Sequence, residues 1–306
     1  MTTLVFGHKS PDTDSTGSPI IWAWYLNQIT GVDAAPALLG EPNTEALFML
    51  DHWKLDKPQI ISDVEADQPV VIVDTNNPAE LPDNINNADI KAIIDHHKLV
   101  GGLETKGPIH IVMEPLACTA TIMYKIIGDD MAQMPENIKG AMLTCILSDT
   151  LEFRSPTTTQ EDTAIAHALA KDLGIDIPDY AAKMFAAKSD VSSFSEAELL
   201  RMDSKEYEVG GKQFRVSVLE TTSPKTVLDR KDALMAAMPG VATEDGADQV
   251  LLFVVDILNE EATMLIPNDL TKSVAEKSFG ATVTGDTVVL PGVMSRKKQI
   301  IPNLKV

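Results

Sequence analysis

The chain has 306 residues, of which 44% are hydrophobic and 23% charged, and its formal net charge at pH 7 is −20. This length favours two domains over a single hydrophobic core, and the composition excludes a disordered or fibrous protein. A chain this acidic offers no overall positive surface for nucleic acid or for an anionic membrane, so we expect neither as a partner. If the protein binds an anion, metal ions and a few basic residues must supply the positive charge.

The two cysteines and the first residues bear on the cellular location. Cys118 and Cys145 each lie in an apolar, helix-like run, which favours buried, reduced thiols over a disulfide. The apolar run at residues 4–6 stops at Gly7, so we expect no signal peptide. No apolar stretch approaches the roughly 20 residues of a membrane span. We therefore expect a cytoplasmic protein.

The first half of the chain alternates short β-rich runs with helix-like runs. The predicted strands are residues 4–6, 34–39, 60–61, 70–73, 90–94 and 109–113, and the predicted helices are residues 15 (or 18)–29, 44–53, 119–127, 136–147, 160–173 and 179–188. The runs at 70–73 and 90–94 are almost entirely aliphatic, which is typical of strands covered on both faces. The alternation predicts an α/β domain with a parallel or mostly parallel sheet.

A polar, serine-rich stretch then interrupts this pattern. We predict a first domain at residues 1–188, a linker at 189–195 and a smaller α/β domain at 196–306. In the smaller domain, a hairpin is predicted at residues 206–209 and 213–219, with its turn at Gly210 and Gly211. The other predicted elements are strands at 250–257, 261–266 and 288–290 and helices at 225–238 and 269–279.

Histidine and aspartate residues fall where the strands and one helix of the first domain end. They are His8, Asp12 and Asp14 after the first strand, Asp74 after strand 70–73, Asp95, His96 and His97 at the end of strand 90–94, and Asp149 after helix 136–147. A single aspartate at such a place usually caps a helix or forms a turn. In open α/β sheets, however, ligands bind outside the carboxyl ends of the strands. Several such residues at one edge therefore predict a common site.

The residue types in this set favour divalent metal ions. Imidazole and carboxylate together suit Mn²⁺, Co²⁺ or Zn²⁺, and the lack of thiolate ligands argues against a structural zinc site. Four crowded carboxylates would repel one another unless cations neutralised them, and their charge balances two divalent ions. Two-metal sites promote in-line phosphoryl displacement, so hydrolysis of a phosphoester or phosphoanhydride is the leading reaction class.

Two motifs now carry a family resemblance. The pattern His8-x3-Asp12-x-Asp14, with Asp74 after an aliphatic strand and the Asp95-His96-His97 triplet, resembles the DHH phosphoesterase superfamily. The Ser-Arg-Lys-Lys-Gln pentapeptide at residues 295–299 is similar to that of the family II inorganic pyrophosphatases. Residues 114–115, 117–121 and 148–149 also match, and the resemblance covers essentially the whole chain.

The resemblance implies a DHH-type first domain, a DHHA2-type second domain and an active site in the cleft between them. It implies hydrolysis of pyrophosphate to two orthophosphates by a hydroxide that bridges two metal ions. The implied cofactors are two Mn²⁺ ions per subunit, which Co²⁺ can replace, and Mg²⁺ bound with the substrate. It also implies a homodimer.

The resemblance further assigns roles to individual residues. One metal would be held by His8, Asp12 and Asp74, and the other by Asp14, Asp74, His96 and Asp149. His97 would hydrogen-bond the bridging region of the substrate, and Asp95 would orient neighbouring groups. The phosphates would be bound by Lys205, Arg296 and Lys297 of the second domain. A basic cluster near a terminus is usually a solvated tail, but a pyrophosphate site needs such cations once metals have neutralised the carboxylates.

Other functions remain open. An exopolyphosphatase or a short-oligonucleotide phosphodiesterase would share the DHH domain, although DHH nucleases typically carry a Gly-Gly-His-type signature that this chain lacks. A metal-dependent sensor without catalysis is a further alternative. The presence of both a ligand set and anion-binding residues argues against it.

Overall fold

The computed structural model describes all 306 residues and divides the chain into two units, Met1–Ala187 and Lys188–Val306. None of the helices combines the length and the apolar character that crossing a membrane requires.

The first unit is built on a six-stranded sheet in which every neighbouring pair is parallel. Its strands are β1 (Thr3–Phe6), β2 (Ala34–Leu38), β3 (Gln59–Ile60), β4 (Pro69–Val73), β5 (Asp89–Asp95) and β6 (His110–Met113). The spatial order is β3-β2-β1-β4-β5-β6, which confirms the predicted parallel sheet. The chain builds outward from β1 to β3 and then returns to place β4 on the other side of β1. This reversal creates a switch point between the carboxyl ends of β1 and β4, where ligands bind in such sheets.

Six helices belong to this unit. They are α1 (Thr13–Tyr25), α2 (Thr44–His52), α3 (Thr119–Ile127), α4 (Glu136–Asp149), α5 (Gln160–Leu173) and α6 (Ile177–Lys188). The predicted first helix ends early, because a five-residue π-helical turn, Leu26–Thr30, follows α1. Every residue of α1 from 13 to 23 is buried. Gly17 permits its close approach to α4, since a Cβ there would lie 2.3 Å from Sγ of Cys145.

The second unit contains a mixed five-stranded sheet of order β11-β10-β9-β8-β7. Its strands are β7 (Ser204–Val209), β8 (Lys212–Thr221), β9 (Gln249–Asp256), β10 (Glu261–Leu265) and β11 (Thr287–Pro291). Only β8 and β9 pair in parallel. The predicted hairpin is present, and both glycines of its turn have left-handed backbone, with φ of 59° and 75°. Such angles favour glycine because it has no Cβ.

The helices of the second unit differ from the prediction in two places. They are α7 (Glu196–Met202), α8 (Lys225–Leu228), α9 (Lys231–Glu244) and α10 (Asp269–Phe279). Helix α7 was not predicted; a capping box between Ser195 and Glu198 starts it. The helix predicted at 225–238 is two helices, interrupted at Arg230, whose guanidinium donates to the carbonyl oxygens of Val191 and Phe194. Helix α9 then continues through Pro239 because the residues beyond it pack into the core.

Candidate metal centre

The predicted metal ligands lie around the switch point of the first sheet. His8 follows β1, and Asp74 directly follows β4, the neighbouring strand. Asp12 caps α1, because its Oδ1 accepts a hydrogen bond of 3.0 Å from the backbone N–H of Ser15. The other three ligands are Asp14 in the first turn of α1, His96 just past β5 and Asp149 at the end of α4.

Asp74 occupies the centre of the arrangement. It is 1% exposed and has left-handed backbone, with φ of 57°, a conformation that is costly for a residue with a side chain and that clusters at functional sites. Its backbone N–H donates to the carbonyl of Ile94 on β5 at 2.9 Å, which fixes this turn. Its Oδ2 lies 3.4 Å from Nε2 of His8, and its Oδ1 lies 3.3 Å from Nε2 of His96. The two oxygens of one carboxylate therefore face two different imidazoles.

Three groups of three potential ligands lie at or beside Asp74. In each group, one ligand atom from every member lies within 4.8 Å of the others. The first group is His8, Asp12 and Asp74, the second is Asp14, His96 and Asp149, and the third is Asp74, His96 and His97. The structure thus places all six predicted ligands close together: His8, Asp12 and Asp74 form one group, and Asp74 lies next to His96 of the second.

The hydrogen bonds of the two histidines suit metal binding. Nδ1 of His8 lies 2.8 Å from the carbonyl oxygen of Lys9, and Nδ1 of His96 lies 3.1 Å from that of Leu116. Because a carbonyl can only accept, each Nδ1 carries a proton, and Nε2 is the ring nitrogen that faces the carboxylates and is free to bind a metal ion. In addition, Oδ2 of Asp149 is buried and has no hydrogen-bond partner. A divalent cation would provide a partner for the Nε2 atoms of the two histidines and for Oδ2 of Asp149.

The electrostatics of the cluster also favour cations. Burial, reinforced by Asp14 and Asp12, raises the pKa of Asp74 well above its ordinary value. Burial and the same kind of carboxylate neighbours raise the pKa of Asp149 well above its ordinary value as well. For His8, burial acts to lower the pKa, but the hydrogen bond and charge of Asp12 and the charge of Asp74 outweigh it and raise the pKa to about 9. The protein without metal therefore disfavours the charged forms of Asp74 and Asp149, and a bound cation would remove this penalty.

Thr119 supports the ligands without being one of them. Its backbone N–H donates to Oδ2 of Asp14 at 2.7 Å, and its hydroxyl donates to Oδ1 of Asp74 at 3.2 Å. The other oxygen of Asp14 accepts from the hydroxyl of Ser18 at 2.6 Å. Thr119 lies in a stretch that matched the family, but its role was not predicted, because sequence spacing does not reveal a contact between α3 and α1.

His97 lies beside Asp74, with its Nδ1 3.9 Å from Oδ1 of Asp74, and it is anchored by Asp95. Its side chain is 52% exposed, and its Nδ1 lies 2.9 Å from Oδ1 of Asp95, whose side chain is fully buried. Burial alone would raise the pKa of Asp95, but hydrogen bonds from His97 and Asn76 outweigh it and hold the pKa below the ordinary value. Asn76 donates to Oδ2 of Asp95 at 2.5 Å and to the carbonyl of Lys98 at 3.0 Å. Asn76 was also absent from the predicted site.

The predicted anion-binding cations belong to the second unit. Arg296 is mostly buried; its Nη1 donates to the carbonyl of Asp203, and its Nη2 lies near Oδ1 of the same residue, each at 2.8 Å. Arg296 is thereby held beside the start of β7, the strand that carries Lys205. Lys205 and Lys297 are exposed.

The pentapeptide that contains Arg296 folds as a helical turn, Arg296–Ile300. Ser295 accepts from the backbone N–H of Lys298, and Oε1 of Gln299 accepts from those of Met294 and Ser295. The first and last residues of the motif therefore shape the turn, whereas the predicted site included only Arg296 and Lys297.

Two protein-family models match parts of this chain, and known relatives match nearly all of it. The model of the DHH family N-terminal domain matches residues 2–149, and that of the DHHA2 domain matches residues 182–306. A probable manganese-dependent inorganic pyrophosphatase of Lactobacillus acidophilus is 36% identical over 304 residues, and one of Deinococcus radiodurans is 39% identical over 307 residues. Each alignment covers 98% of this chain and 97% of the relative.

Two solved structures are similar to this chain over nearly its whole length. The crystal structure of a putative family II inorganic pyrophosphatase of Methanococcus jannaschii is 31% identical, with a TM-score of 0.61, and the match covers 99% of this chain and 98% of that one. An exopolyphosphatase-related protein from Bacteroides fragilis is 13% identical with a TM-score of 0.52, over 98% of this chain and 89% of its own, and shares the fold. On the strength of its two matched domains and its full-length relatives, the chain belongs to the manganese-dependent, family II inorganic pyrophosphatases of the DHH superfamily.

Proposed function

We propose that the protein hydrolyses inorganic pyrophosphate to two orthophosphates at a centre that holds two divalent metal ions. The relatives' names supply the reaction and favour manganese. The observation that carries the proposal is the position of Asp74, whose two oxygens face imidazoles of two separate ligand sets. A carboxylate in this position suits two ions that share a ligand.

The ligand assignment follows the first two groups. His8, Asp12 and Asp74 hold one ion, and Asp14, Asp74, His96 and Asp149 hold the other. Mn²⁺ is the proposed occupant, Co²⁺ an alternative, and Mg²⁺ accompanies the substrate. When bound, such a pair of ions makes water more acidic and neutralises charge on phosphate oxygens.

The remaining residues act on the substrate directly. His97, anchored through Nδ1 by Asp95, has Nε2 left to hydrogen-bond the bridging region of pyrophosphate. Arg296 offers a planar fork suited to phosphate oxygens, and Lys205 and Lys297 add point charges. These four residues are the proposed catalytic and substrate-binding side chains of the chain itself.

We also propose that the protein is a homodimer formed through β6. This strand is at the edge of the sheet and pairs only with β5. Ile111 on β6 is 55% exposed, and Leu99 is 77% exposed. Exposed edges with apolar side chains are usually covered by a partner. Light scattering after size-exclusion chromatography tests this; a monomer at all concentrations would contradict it.

The two buried, free cysteines support a cytoplasmic location.

A comparison of substrates tests the proposed reaction. Phosphate release is measured from pyrophosphate, tripolyphosphate and a dinucleotide, each with Mn²⁺ and with chelator. We expect pyrophosphate to react fastest and only with metal. Preference for tripolyphosphate would indicate an exopolyphosphatase, and cleavage of the dinucleotide a phosphodiesterase. Metal binding without any hydrolysis would indicate a sensor.

A further inference from the structure

Glu45 is a buried carboxylate beside the metal centre that belongs to neither ligand set. It lies in the first turn of α2 and has no solvent exposure. The helix begins at Asn43, whose side chain accepts from the backbone N–H of Ala46. Negative charge is favourable in the first turn of a helix, which helps the fold tolerate a carboxylate at this depth.

One oxygen of Glu45 connects two segments that carry ligands. Its Oε2 accepts from the hydroxyl of Thr13 at 2.9 Å and from the hydroxyl of Ser148 at 2.7 Å. Thr13 lies between Asp12 and Asp14 at the start of α1, and Ser148 immediately precedes Asp149 at the end of α4. A single atom of α2 therefore joins the start of α1 to the end of α4.

These two connections converge on the second ligand set. Asp14 and Asp149 both belong to it, and each directly follows one of the residues bound by Glu45. In the first set, only Asp12 adjoins such a residue, and its side chain is separately anchored at the backbone of Ser15. Removal of Glu45 should thus disturb the second set more than the first.

We propose that Glu45 is a positioning residue that sets the separation of Asp14 and Asp149 and so controls the affinity of the second metal ion. This inference rests on the proposed two-metal centre. Residues that orient metal ligands through hydrogen bonds typically change metal affinity by about 10- to 100-fold when they are replaced. Glu45 acts on Asp14 and Asp149 through its hydrogen bonds to Thr13 and Ser148.

The test compares Glu45→Ala and Glu45→Gln in the full-length protein. Mn²⁺ titration by calorimetry gives the affinity of each site, and electron paramagnetic resonance reports whether two Mn²⁺ ions are coupled. Glu45→Ala should keep one tight ion and weaken the other by about 10- to 100-fold, with loss of the coupled signal. Glu45→Gln should recover most of the affinity, because its amide oxygen can accept both hydroxyl hydrogen bonds.

A control separates positioning from general stability. Leu50→Ala creates a cavity in the same helix without removing the hydrogen bonds to Thr13 or Ser148. Both alanine variants should lower the unfolding temperature of the metal-free protein, but only Glu45→Ala should weaken the second ion. Equal weakening in both variants would overturn the proposal, because it would show a general effect of destabilisation.

Two further outcomes are decisive. If Glu45→Ala does not fold, Ser148→Ala removes one of the two connections and should weaken the second ion in the same way; unchanged affinity would overturn the inference. If the unaltered protein binds no second Mn²⁺, the proposed centre and this inference both fail. If the unaltered protein and Glu45→Ala bind two ions equally well, only the role of Glu45 fails.

Discussion

Oδ1 of Asp95 accepts two hydrogen bonds from the same residue, one from the backbone N–H of His97 at 3.0 Å and one from its Nδ1 at 2.9 Å. The imidazole is therefore fixed relative to its own backbone just past the end of β5. The adjacent ring of His96 lies 4.2 Å away, centroid to centroid, but directs Nε2 toward Asp74. Two consecutive histidines thus make different contacts, which suits the different roles proposed for them, His96 as a metal ligand and His97 at the substrate.

Replacement of His97 should separate these tasks. We expect His97→Gln to keep both Mn²⁺ ions and to lose at least about tenfold in kcat, or about 1.4 kcal/mol in the barrier. Metal analysis and phosphate release measure the two effects. His167→Gln, on the exposed face of α5, is the matched control and should change neither. Loss of metal with unchanged activity per bound ion would show that His97 is a ligand instead.

Replacement of Asp74 should impair both ions together. Asp74→Asn keeps the size of the side chain and tolerates the left-handed backbone, but it replaces one carboxylate oxygen by a donor. We expect both Mn²⁺ affinities to fall by more than about tenfold. Asp83→Asn, at a side chain that is 97% exposed, is the control. Retention of one ion at its original affinity would rule out a shared ligand.

The pH dependence of stability should reverse when metal is added. The pKa of His8 is about 9 in the folded, metal-free protein and 6.5 as an isolated side chain, so the folded state holds the extra proton between these values. This stabilisation is fully present below pH 6.5 and is lost as the pH rises through about 9. The raised pKa values of Asp74 and Asp149 act in the same direction.

Urea unfolding across this pH window, with chelator and with saturating Mn²⁺, measures whether the free energy of unfolding falls or rises with pH. The free energy of unfolding should fall with rising pH in chelator. With Mn²⁺ it should rise, because metal binding displaces these protons and tightens as they leave. A metal-free protein that becomes more stable with rising pH would contradict the electrostatic description of the cluster.

Arg296 should contribute to the reaction but not to metal binding. We expect Arg296→Ala to retain its Mn²⁺, to raise KM and to lower kcat, with a loss of about 10- to 100-fold in kcat/KM for one charge-assisted contact. Lys298→Ala is the matched control, because Lys298 is an exposed neighbour whose backbone N–H, not its side chain, contributes to the turn. Equal losses in both variants would indicate that overall charge matters, not the Arg296 contact.

Much of the first unit was predictable because local patterns and tertiary structure agree there. Aliphatic runs gave β4 and β5 to within a residue or two, and the residues at their ends placed Asp74 and the DHH triplet at the correct edge. Helix α7 was missed because its seven residues are too few to show a helical period. Burial of Leu199 and Leu200 in the core of the second unit stabilises it, and this contact has no local signal.

The supporting residues of the metal centre were not predictable because they act through contacts between distant parts of the sequence, which leave no local signal. Thr119 contacts Asp14 across 105 positions of sequence, and Ser148 contacts Glu45 across 103. Threonine, serine and buried glutamate carry no spacing pattern that distinguishes these roles from ordinary helix capping. The ligands themselves were recognisable because several histidines and aspartates follow neighbouring strands of one predicted sheet, whereas a single aspartate there would be an ordinary cap or turn residue.

Metal-dependent hydrolysis of pyrophosphate is tested most directly by measuring phosphate release and bound metal in the same freshly purified sample. The sample is stripped with chelator and then titrated with Mn²⁺ in the presence of pyrophosphate and Mg²⁺. Activity should vanish on stripping and return with bound Mn²⁺, reaching its maximum only when both ligand sets are filled. Rapid hydrolysis by the stripped protein, or no hydrolysis when both sets are filled, would contradict a two-metal pyrophosphatase.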